Sequence, residues 1–338
     1  MKKISIAFFD ATRDDEEYFK KSLRQFKLVF CGELDEENLE KAAQCEIISC
    51  FALAKTRFDA RALARLPLVK FIATRSTGFD HIDMQECSKR GISVSNVPSY
   101  GDNTVAEHAF AMILAFSRKI IDANERVRKG DFSVDGLTGF DLAGKTMGII
   151  GTGKIGVNVA RIANGFQMKI LAFDARKNRE LEKKFGVKYV SLPELLKNSD
   201  FITLHVPLTK QTHHLINTKN IGMVKKGAIL VNTARGAIVE TKALLEGLSK
   251  GILAGAALDV LEEEGVLRDE DEVLKAVQGN HQGVLKTMLE NHILLRWNNV
   301  LITPHNAFNS REALHRIRET TKENILAFAK GKKLNAVC

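Results

Sequence analysis

The feature that most constrains the fold is a glycine-rich turn between a short apolar run and an amphipathic stretch. In TMGIIGTGKIGVNVARIANGFQMKILAFD, residues 146–174, the glycines Gly151, Gly153 and Gly156 follow strand-forming residues and open a helical pattern. A second apolar run follows and ends in Asp174. Strand, G-x-G-x-x-G, helix, strand and acidic residue, in this order, are typical of a βαβ unit that binds a dinucleotide. The segment therefore predicts a Rossmann-type nucleotide domain.

Each glycine of this fingerprint has its own physical role. Gly151 permits the tight turn, Gly153 lets the backbone approach a pyrophosphate, and Gly156 lets the helix pack closely on the sheet. The phosphates would lie at the helix N-terminus, beside Lys154 and Ile155, because its N–H groups and its dipole favour anions.

Asp174 bears on the choice between NAD and NADP. Its carboxylate would accept hydrogen bonds from the adenine-ribose hydroxyls and repel a 2′-phosphate. Arg176, two residues further on, leaves some tolerance for that phosphate. We expect NAD as the cofactor.

Apolar runs alternate with helical patterns along the whole chain, in two series. The predicted strands cover residues 3–9, 46–51, 69–74 and 92–97 in the first series and 146–151, 169–174, 200–206, 228–233, 254–260 and 299–303 in the second. Continuous apolar strands that alternate with helices indicate a parallel sheet covered on both faces. The chain is therefore predicted to form two doubly wound α/β domains.

Two long helical patterns, from about Asn103 and over residues 311–331, flank the second series. We therefore expect a discontinuous catalytic domain, residues 1–100 plus 300–338, into which the Rossmann domain, residues 101–299, is inserted. A chain of 338 residues is long enough for two cores. The charged stretch 266–297 is long for a connection, and we interpret it as a surface insertion.

Charge and cysteine content narrow the partners and the compartment. The net charge is +9, but basic and acidic residues are both scattered, unlike the basic stripe of a nucleic-acid-binding protein. The five cysteines form no CxxC pair, which is typical of reduced thiols. No apolar run approaches the ~20 residues of a membrane span. We expect a cytoplasmic protein that binds neither nucleic acid nor membrane.

Polar side chains follow the later predicted strands, at the edge where open α/β sheets bind ligands. Arg235 follows 228–233, Asp259 and the acidic run 262–264 follow the next strand, and His305 follows the last. Taken singly, a loop arginine, an acidic run and a loop histidine are usually solvated surface groups. Their placement beside a nucleotide site favours a catalytic set.

The motifs around these residues resemble the D-isomer-specific 2-hydroxyacid dehydrogenase family, and within it the D-lactate dehydrogenase branch. The resemblance covers most of the chain and rests on TGFDHID (77–83), VAEHAFAMIL (105–114), GTGKIG (151–156), LHVPLT (204–209), VNTARGAIV (231–239), AALDV (256–260) and TPH (303–305). Tyr100 in VPSYG and the stretch HNAFNS are similar to the branch. The family implies a Rossmann NAD-binding domain inserted in a flavodoxin-like catalytic domain, and a homodimer.

The resemblance implies roles for the polar set. Arg235 would bind the substrate carboxylate and polarise the 2-oxo group. His305 would protonate the carbonyl oxygen as hydride arrives from NADH, and act as the base in reverse. Glu264 would bind the other imidazole nitrogen, with Glu262 as the alternative. Asp259 would contact the cofactor near the nicotinamide.

The resemblance also implies contacts elsewhere. The backbone N–H groups of Thr77 and Gly78, and Tyr100, would contact the substrate. Phe51 lies roughly where the branch places a substrate-contacting aromatic, or it belongs to the core. The remaining residues that would line the dinucleotide are Val206, Pro207, Thr212, Thr233 and Ala234.

The predicted function is reversible hydride transfer between NADH and a small 2-oxo acid, with pyruvate and D-lactate as the first choice. Glyoxylate, hydroxypyruvate and other 2-oxo acids are alternatives, and an NAD(H)-sensing binding protein on the same fold is the alternative from another class. The pair His213–His214 suggests a metal, but no third ligand stands at a metal spacing, so none is predicted. The long helix near 103–121 is the expected dimer surface.

Overall fold

The computed structural model describes residues 3–51, 56–264, 270–279 and 281–338. The chain forms two compact units, one of Met1–Tyr100 with Ser310–Cys338 and one of Gly101–Asn309. Each unit has its own parallel sheet. Within these described ranges, no helix has both the length and the apolar character required to cross a membrane.

The first unit is built on a five-stranded parallel sheet. Its elements are β1 (Ser5–Phe8), α1 (Arg13–Ser22), β2 (Lys27–Phe30), α2 (Glu36–Ala42), β3 (Ile47–Cys50), α3 (Ala60–Ala64), β4 (Phe71–Thr74), α4 (Met84–Lys89) and β5 (Ser93–Ser95). The order β2-β1-β3-β4-β5 is flavodoxin-like, which confirms that part of the predicted fold. Strand β2 was not predicted, because it is a partly exposed edge strand with little alternation.

Side chains on successive residues of these strands enter two cores, one on each face of the sheet. In β4, Ile72 packs in one core with Leu63, whereas Phe71 and Ala73 pack in the other with Phe8. This follows from the two-residue period of a strand. Both faces are therefore covered, as expected for a doubly wound sheet.

The C-terminal helix, Arg311–Ala329, packs on the first unit. Its Phe328 ring stacks on Phe71 with the centroids 4.4 Å apart. Arg318 Nε donates a hydrogen bond to Asp15 Oδ1 at 2.6 Å. The end of the chain thus completes the domain that its first hundred residues begin.

The second unit is built on a seven-stranded parallel sheet. Its elements are α5 (Asp102–Ser117), α6 (Ile120–Arg128), β6 (Thr146–Ile150), α7 (Lys154–Gly165), β7 (Lys169–Phe173), α8 (Arg179–Phe185), β8 (Lys188–Tyr189), α9 (Leu192–Asn198), β9 (Phe201–Leu204), β10 (Ala228–Asn232), α10 (Thr241–Ser249), β11 (Leu253–Leu258), α11 (Glu270–Gln278), α12 (Gln282–Leu294) and β12 (Val300–Ile302). The order β12-β11-β10-β9-β6-β7-β8 is the predicted Rossmann arrangement with one added strand. The short strand β8 was not predicted.

The boundary between the units differs from the predicted one. Residues 300–338 were expected in the first domain, but β12 pairs with β11, with Ile302 opposite Leu258, and residues to Asn309 lie in the second unit. A three-residue strand is stable only beside a strand that takes up its backbone hydrogen bonds. The predicted insertion 266–297 lies partly outside the described residues, and its described part forms α11 and α12.

Candidate active site

The fingerprint turn lies where β6 passes into α7. Gly151 has a φ of 95°, and a Cβ there would lie 2.6 Å from the carbonyl oxygen of His205. A Cβ at Gly156 would lie 2.0 Å from the carbonyl oxygen of Gly151. Both positions therefore require glycine, as the fingerprint predicts.

Gly153 leaves the N-terminus of α7 open. It is the N-cap residue, no side chain caps the helix, and a Cβ there would meet nothing within 4 Å. An open cavity of about 570 Å³ adjoins it, lined by Asp102, Thr152, Gly153, Lys154, Val157, Asn158 and Asn178. The N–H groups of the first helical turn and the helix dipole favour an anion here, so the residues fit the phosphates of a dinucleotide. Of the lining residues, the sequence predicted Gly153 and Lys154, whereas Asp102 and Asn178 come from distant segments.

Asp174 ends β7 and is held by the fingerprint loop. It accepts hydrogen bonds from Thr152 N at 2.6 Å, from Thr152 Oγ1 at 3.0 Å and from Arg176 N at 2.8 Å. Burial raises the pKa of Asp174, but these hydrogen bonds outweigh it and hold the pKa below its ordinary value. A fixed negative charge therefore lies at this strand end.

The loop after β9 and the residues after β10 include five of the predicted cofactor residues: Val206, Pro207, Thr212, Thr233 and Ala234. Val206 lies against the fingerprint, since its Cγ1 is 2.8 Å from a Cβ built at Gly151. Thr212 Oγ1 donates to the carbonyl oxygen of Pro207 at 2.5 Å, which closes the loop on itself. Thr233 is buried, and its hydroxyl has no hydrogen-bond partner among the described residues.

Arg235 lies in a turn that Asn232 organises. Asn232 Nδ2 donates to the carbonyl oxygen of Arg235 at 2.9 Å, and its Oδ1 accepts from Ala234 N at 3.0 Å. The next residue, Gly236, packs so tightly that a Cβ there would lie 2.0 Å from the carbonyl carbon of Leu261. The turn thus lies against the segment that carries the glutamates.

His305 follows β12 and pairs with Glu264. The distance from Nδ1 to Glu264 Oε1 is 2.6 Å, and the two side chains are 32% and 26% exposed. We therefore assign a hydrogen to Nδ1, which donates it to the Glu264 carboxylate. Nε2 has no hydrogen-bond partner in the described part of the chain. Glu264, and not Glu262, is therefore the glutamate beside His305.

Asp259 ends β11 and holds the loop that carries His305. Its side chain is 1% exposed, and it accepts hydrogen bonds from Asn306 N at 2.9 Å and Ala307 N at 2.8 Å. Thr303 Oγ1 also donates to it, at 2.5 Å. His305 has a φ of 55°, which is uncommon for a residue with a side chain. The buried carboxylate therefore stabilises a strained turn.

His108 on α5 belongs to the same network. Its Nε2 lies 3.2 Å from Thr303 Oγ1 and 3.6 Å from Asp259 Oδ1. Burial raises the pKa of Asp259, but hydrogen bonds, first from His108 and Thr303, outweigh it and hold the pKa below its ordinary value. The sequence assigned Asp259 to the cofactor, which stays a prediction, and did not identify its role in this loop.

Glu262 pairs with a different histidine. Its Oε1 lies 2.6 Å from His214 Nε2, and its Oε2 accepts from Thr241 N at 3.1 Å and Thr241 Oγ1 at 2.8 Å. The His213 ring stacks on the His214 ring, with the ring centroids 3.9 Å apart. One ligand atom from each of His213, His214 and Glu262 lies within 4.8 Å of the others. Sequence spacing did not reveal this group, because Glu262 is distant in sequence from the histidine pair.

In the first unit, Thr77 and Gly78 follow β4. The carbonyl oxygen of Thr77 accepts from Asn96 Nδ2 at 2.8 Å, and that of Gly78 accepts from Ser76 Oγ at 2.6 Å. Within the described residues, their two backbone N–H groups have no hydrogen-bond partner. Adjacent free N–H groups can bind a carboxylate, as the predicted contact requires.

Tyr100 and Phe51 also lie in the first unit. The carbonyl oxygen of Tyr100 accepts from Arg316 Nε at 2.6 Å. Phe51 directly follows β3, is partly exposed, and has the Arg75 guanidinium 5.9 Å from its ring centroid. Phe51 is therefore not an interior core residue, in contrast to Phe8 and Phe9.

The fold and these strand ends define a class of protein. A Rossmann unit with an open helix N-terminus, together with a carboxylate–histidine pair, is typical of a nucleotide-dependent oxidoreductase. Residues 110–307 match the model of the D-isomer specific 2-hydroxyacid dehydrogenase, NAD binding domain. The cofactor domain is thus an NAD-binding one, as predicted.

Known proteins of this family match nearly the whole chain. Glyoxylate reductase from Korarchaeum cryptofilum is 38% identical over 87% of this chain and 82% of its own length. D-lactate dehydrogenase from Escherichia coli is 37% identical over 95% of this chain and 97% of its own. The structure of D-lactate dehydrogenase from Aquifex aeolicus, complexed with NAD and lactic acid, matches with a TM-score of 0.83 at 38% identity, over 96% of each chain. The chain belongs to the D-isomer specific 2-hydroxyacid dehydrogenases, which confirms the predicted resemblance.

Proposed function

We propose that the protein reduces a small 2-oxo acid to the D-2-hydroxy acid with NADH, and catalyses the reverse reaction, with pyruvate and D-lactate as the preferred pair. The observation that carries this proposal is the contact of 2.6 Å between His305 Nδ1 and Glu264 Oε1. It lies at the strand ends of a Rossmann unit, where ligands of open α/β sheets bind.

NAD would supply or accept the hydride. The open N-terminus of α7, beside Gly153, Lys154 and Ile155, would hold the pyrophosphate. The charge of Asp174 would face the adenine ribose and disfavour a 2′-phosphate. The remaining cofactor contacts would come from Val206, Pro207, Thr212, Thr233, Ala234 and Asp259.

His305 would move the proton. Since Nδ1 donates to Glu264, Nε2 can carry the proton that the carbonyl oxygen takes up as negative charge develops on it. In the oxidative direction, neutral Nε2 accepts the hydroxyl proton, and the Glu264 carboxylate stabilises the imidazolium that results. Because Asp259 holds the loop around His305, the imidazole keeps one orientation in both directions.

Arg235 would bind the substrate carboxylate. Its planar guanidinium can donate two parallel hydrogen bonds to a carboxylate and polarise the adjacent 2-oxo group. As the family resemblance implies, we assign the backbone N–H groups of Thr77 and Gly78, and Tyr100, to substrate binding. These groups recognise the part that all 2-oxo acids share, so the choice among them depends on the space around the substituent.

A substrate panel tests the proposal. Purified protein would be mixed with NADH and equal concentrations of pyruvate, glyoxylate, hydroxypyruvate and longer 2-oxo acids, and the loss of NADH absorbance followed. We expect the highest kcat/KM with pyruvate. Absence of turnover with every 2-oxo acid would reject the enzyme assignment and favour an NAD(H)-sensing binding protein.

A glyoxylate reductase is the second candidate function. It is favoured by the similarity to the Korarchaeum cryptofilum glyoxylate reductase, 38% identical against 37% for the Escherichia coli D-lactate dehydrogenase. Glyoxylate has a hydrogen where pyruvate has a methyl group, and one methyl group in an apolar pocket discriminates by only about 10–200-fold. A higher kcat/KM for glyoxylate in the same panel would establish this function instead.

We propose a homodimer that uses α6 and the segment after it. Ile120, Val127, Phe132 and Val134 are 53%, 46%, 77% and 77% exposed, and several exposed apolar side chains in one short segment favour an interaction surface. Much of α5, the helix predicted for this role, is buried within its own unit. Light scattering would show a dimer for the wild type and a monomer for Phe132→Asp.

The five cysteines are free thiols, which supports a cytoplasmic location.

A further inference from the structure

His213, His214 and Glu262 form a cluster that the proposed reaction does not use. Glu262 Oε1 lies 2.6 Å from His214 Nε2, and the His213 ring stacks on that of His214. One ligand atom of each residue lies within 4.8 Å of the other two. Three donors from two distant segments therefore converge on one point of the second unit.

The chemical types of the three donor atoms indicate which metal ions the cluster would bind. Two imidazole nitrogens and one carboxylate oxygen are ligands typical of Zn²⁺ and its neighbours among the divalent transition metals. Ca²⁺ and Mg²⁺ prefer sites made of oxygen atoms. Three protein ligands with water in the remaining positions complete a familiar zinc coordination.

The cluster is supported by the residues around it. Thr241 holds the second carboxylate oxygen of Glu262 through two hydrogen bonds, of 3.1 and 2.8 Å. His214 has a φ of 50°. Its backbone N–H donates to the carbonyl oxygen of Ala237, and its carbonyl oxygen accepts from Asn217 Nδ2, both at 2.8 Å. Such outer contacts orient the ligands of a metal and contribute to its affinity.

We propose that His213, His214 and Glu262 bind one divalent transition-metal ion, with Zn²⁺ as the preferred member of the class. Without metal, a hydrogen bond joins His214 Nε2 and Glu262 Oε1. The ion takes the place of the shared hydrogen, and any hydrogen it displaces is released as a proton. Bound metal joins the loop after β9 to the segment after β11, two residues from Glu264. The proposal stands independently of the proposed reaction, because binding is measured without substrate.

Co²⁺ serves as the probe, because its visible absorption reports the coordination of the site. The full chain would be treated with a chelator, dialysed and titrated with Co²⁺, and Zn²⁺ then added in competition. We expect a saturable visible band at one ion per chain, which Zn²⁺ removes. His213→Ala should weaken Co²⁺ binding at least tenfold, and Thr241→Val should weaken it by about 10–100-fold, as outer-contact losses do.

His292→Ala is the matched control, since His292 is an exposed histidine of the same unit outside the cluster. His213 is exposed as well, so His213→Ala is expected to fold normally. Equal affinity of wild type and His213→Ala, or loss of the band in His292→Ala instead, overturns the proposal. So does binding weaker than about 1 mM. An intense thiolate-to-cobalt band would place the ion on a cysteine and overturn it too.

Discussion

The second unit contains two glutamate–histidine pairs, whose glutamates are two residues apart and which differ in the imidazole nitrogen that the glutamate contacts. Glu264 contacts Nδ1 of His305 and Glu262 contacts Nε2 of His214, both at 2.6 Å. Both histidines have a left-handed backbone, with φ of 55° and 50°. The Nδ1 contact leaves the outer nitrogen of His305 available for a proton, whereas the Nε2 contact occupies the outer nitrogen of His214. A short carboxylate–histidine distance therefore does not by itself identify a catalytic histidine, and the role proposed for His305 depends on its Nε2 remaining available.

The largest expected effect separates the two histidines. His305→Asn should lower kcat by about 10²–10⁴-fold, the usual contribution of a general acid or base. His214→Asn should leave kcat nearly unchanged, because its outer nitrogen already has a partner. Asparagine tolerates the left-handed backbone of both positions, so both variants should fold. Steady-state kinetics with NADH and the best 2-oxo acid measures kcat, and equal losses in the two variants would abolish the distinction.

The next effect separates the two glutamates. Glu264→Gln should lower kcat by roughly 10–100-fold, because a hydrogen bond to a charged group contributes about 1.5–3 kcal/mol and the imidazolium loses its counter-charge. Glu262→Gln should leave kcat close to the wild-type value. The same assay measures both. A loss of turnover confined to Glu262→Gln would transfer the role to that residue.

A substitution outside both pairs tests whether Arg235 binds the substrate carboxylate independently of proton transfer by the histidine. Arg235→Lys keeps the positive charge but loses the planar two-donor geometry, so KM should rise and kcat/KM should fall about tenfold. The pH dependence of kcat should keep its shape, because neither histidine is altered. An unchanged kcat/KM would contradict the assignment of Arg235 to the substrate carboxylate.

The smallest effect concerns stability in acid. Burial raises the pKa of Asp259 and of Glu262, but the hydrogen bonds of each outweigh it and lower both pKa values in the folded chain. Their stabilisation is therefore complete above about pH 5.5, where unfolded carboxyl groups are ionised, and is lost as the pH falls through the lowered folded-state values. The free energy of unfolding should begin to fall below about pH 5, and less steeply in Asp259→Asn. Urea unfolding over a pH series measures this, and parallel slopes in wild type and variant would contradict it.

Most of the fold could be predicted because its information is local. Of the twelve strands in the described part of the chain, apolar runs specified ten, and the two missed, β2 and β8, lie at sheet edges where half-buried side chains alternate weakly. The fingerprint glycines were predictable for a similar reason. A positive φ at Gly151 and the close contact at Gly156 are demands of one short turn.

The sequence by itself determined two α/β domains, a nucleotide-binding turn and a set of polar strand ends that includes His305. It favoured Glu264 but kept Glu262 as the alternative, because two glutamates two residues apart differ only in the direction of their side chains. Tertiary structure made that choice: with Glu263 at a φ of 54°, the two carboxylates reach histidines 48 and 41 residues away. The same long-range packing decided the domain of β12 and brought Glu262 to the histidine pair. The order of the strands in the sheet determines which residues distant in sequence come into contact, and local sequence patterns do not specify that order.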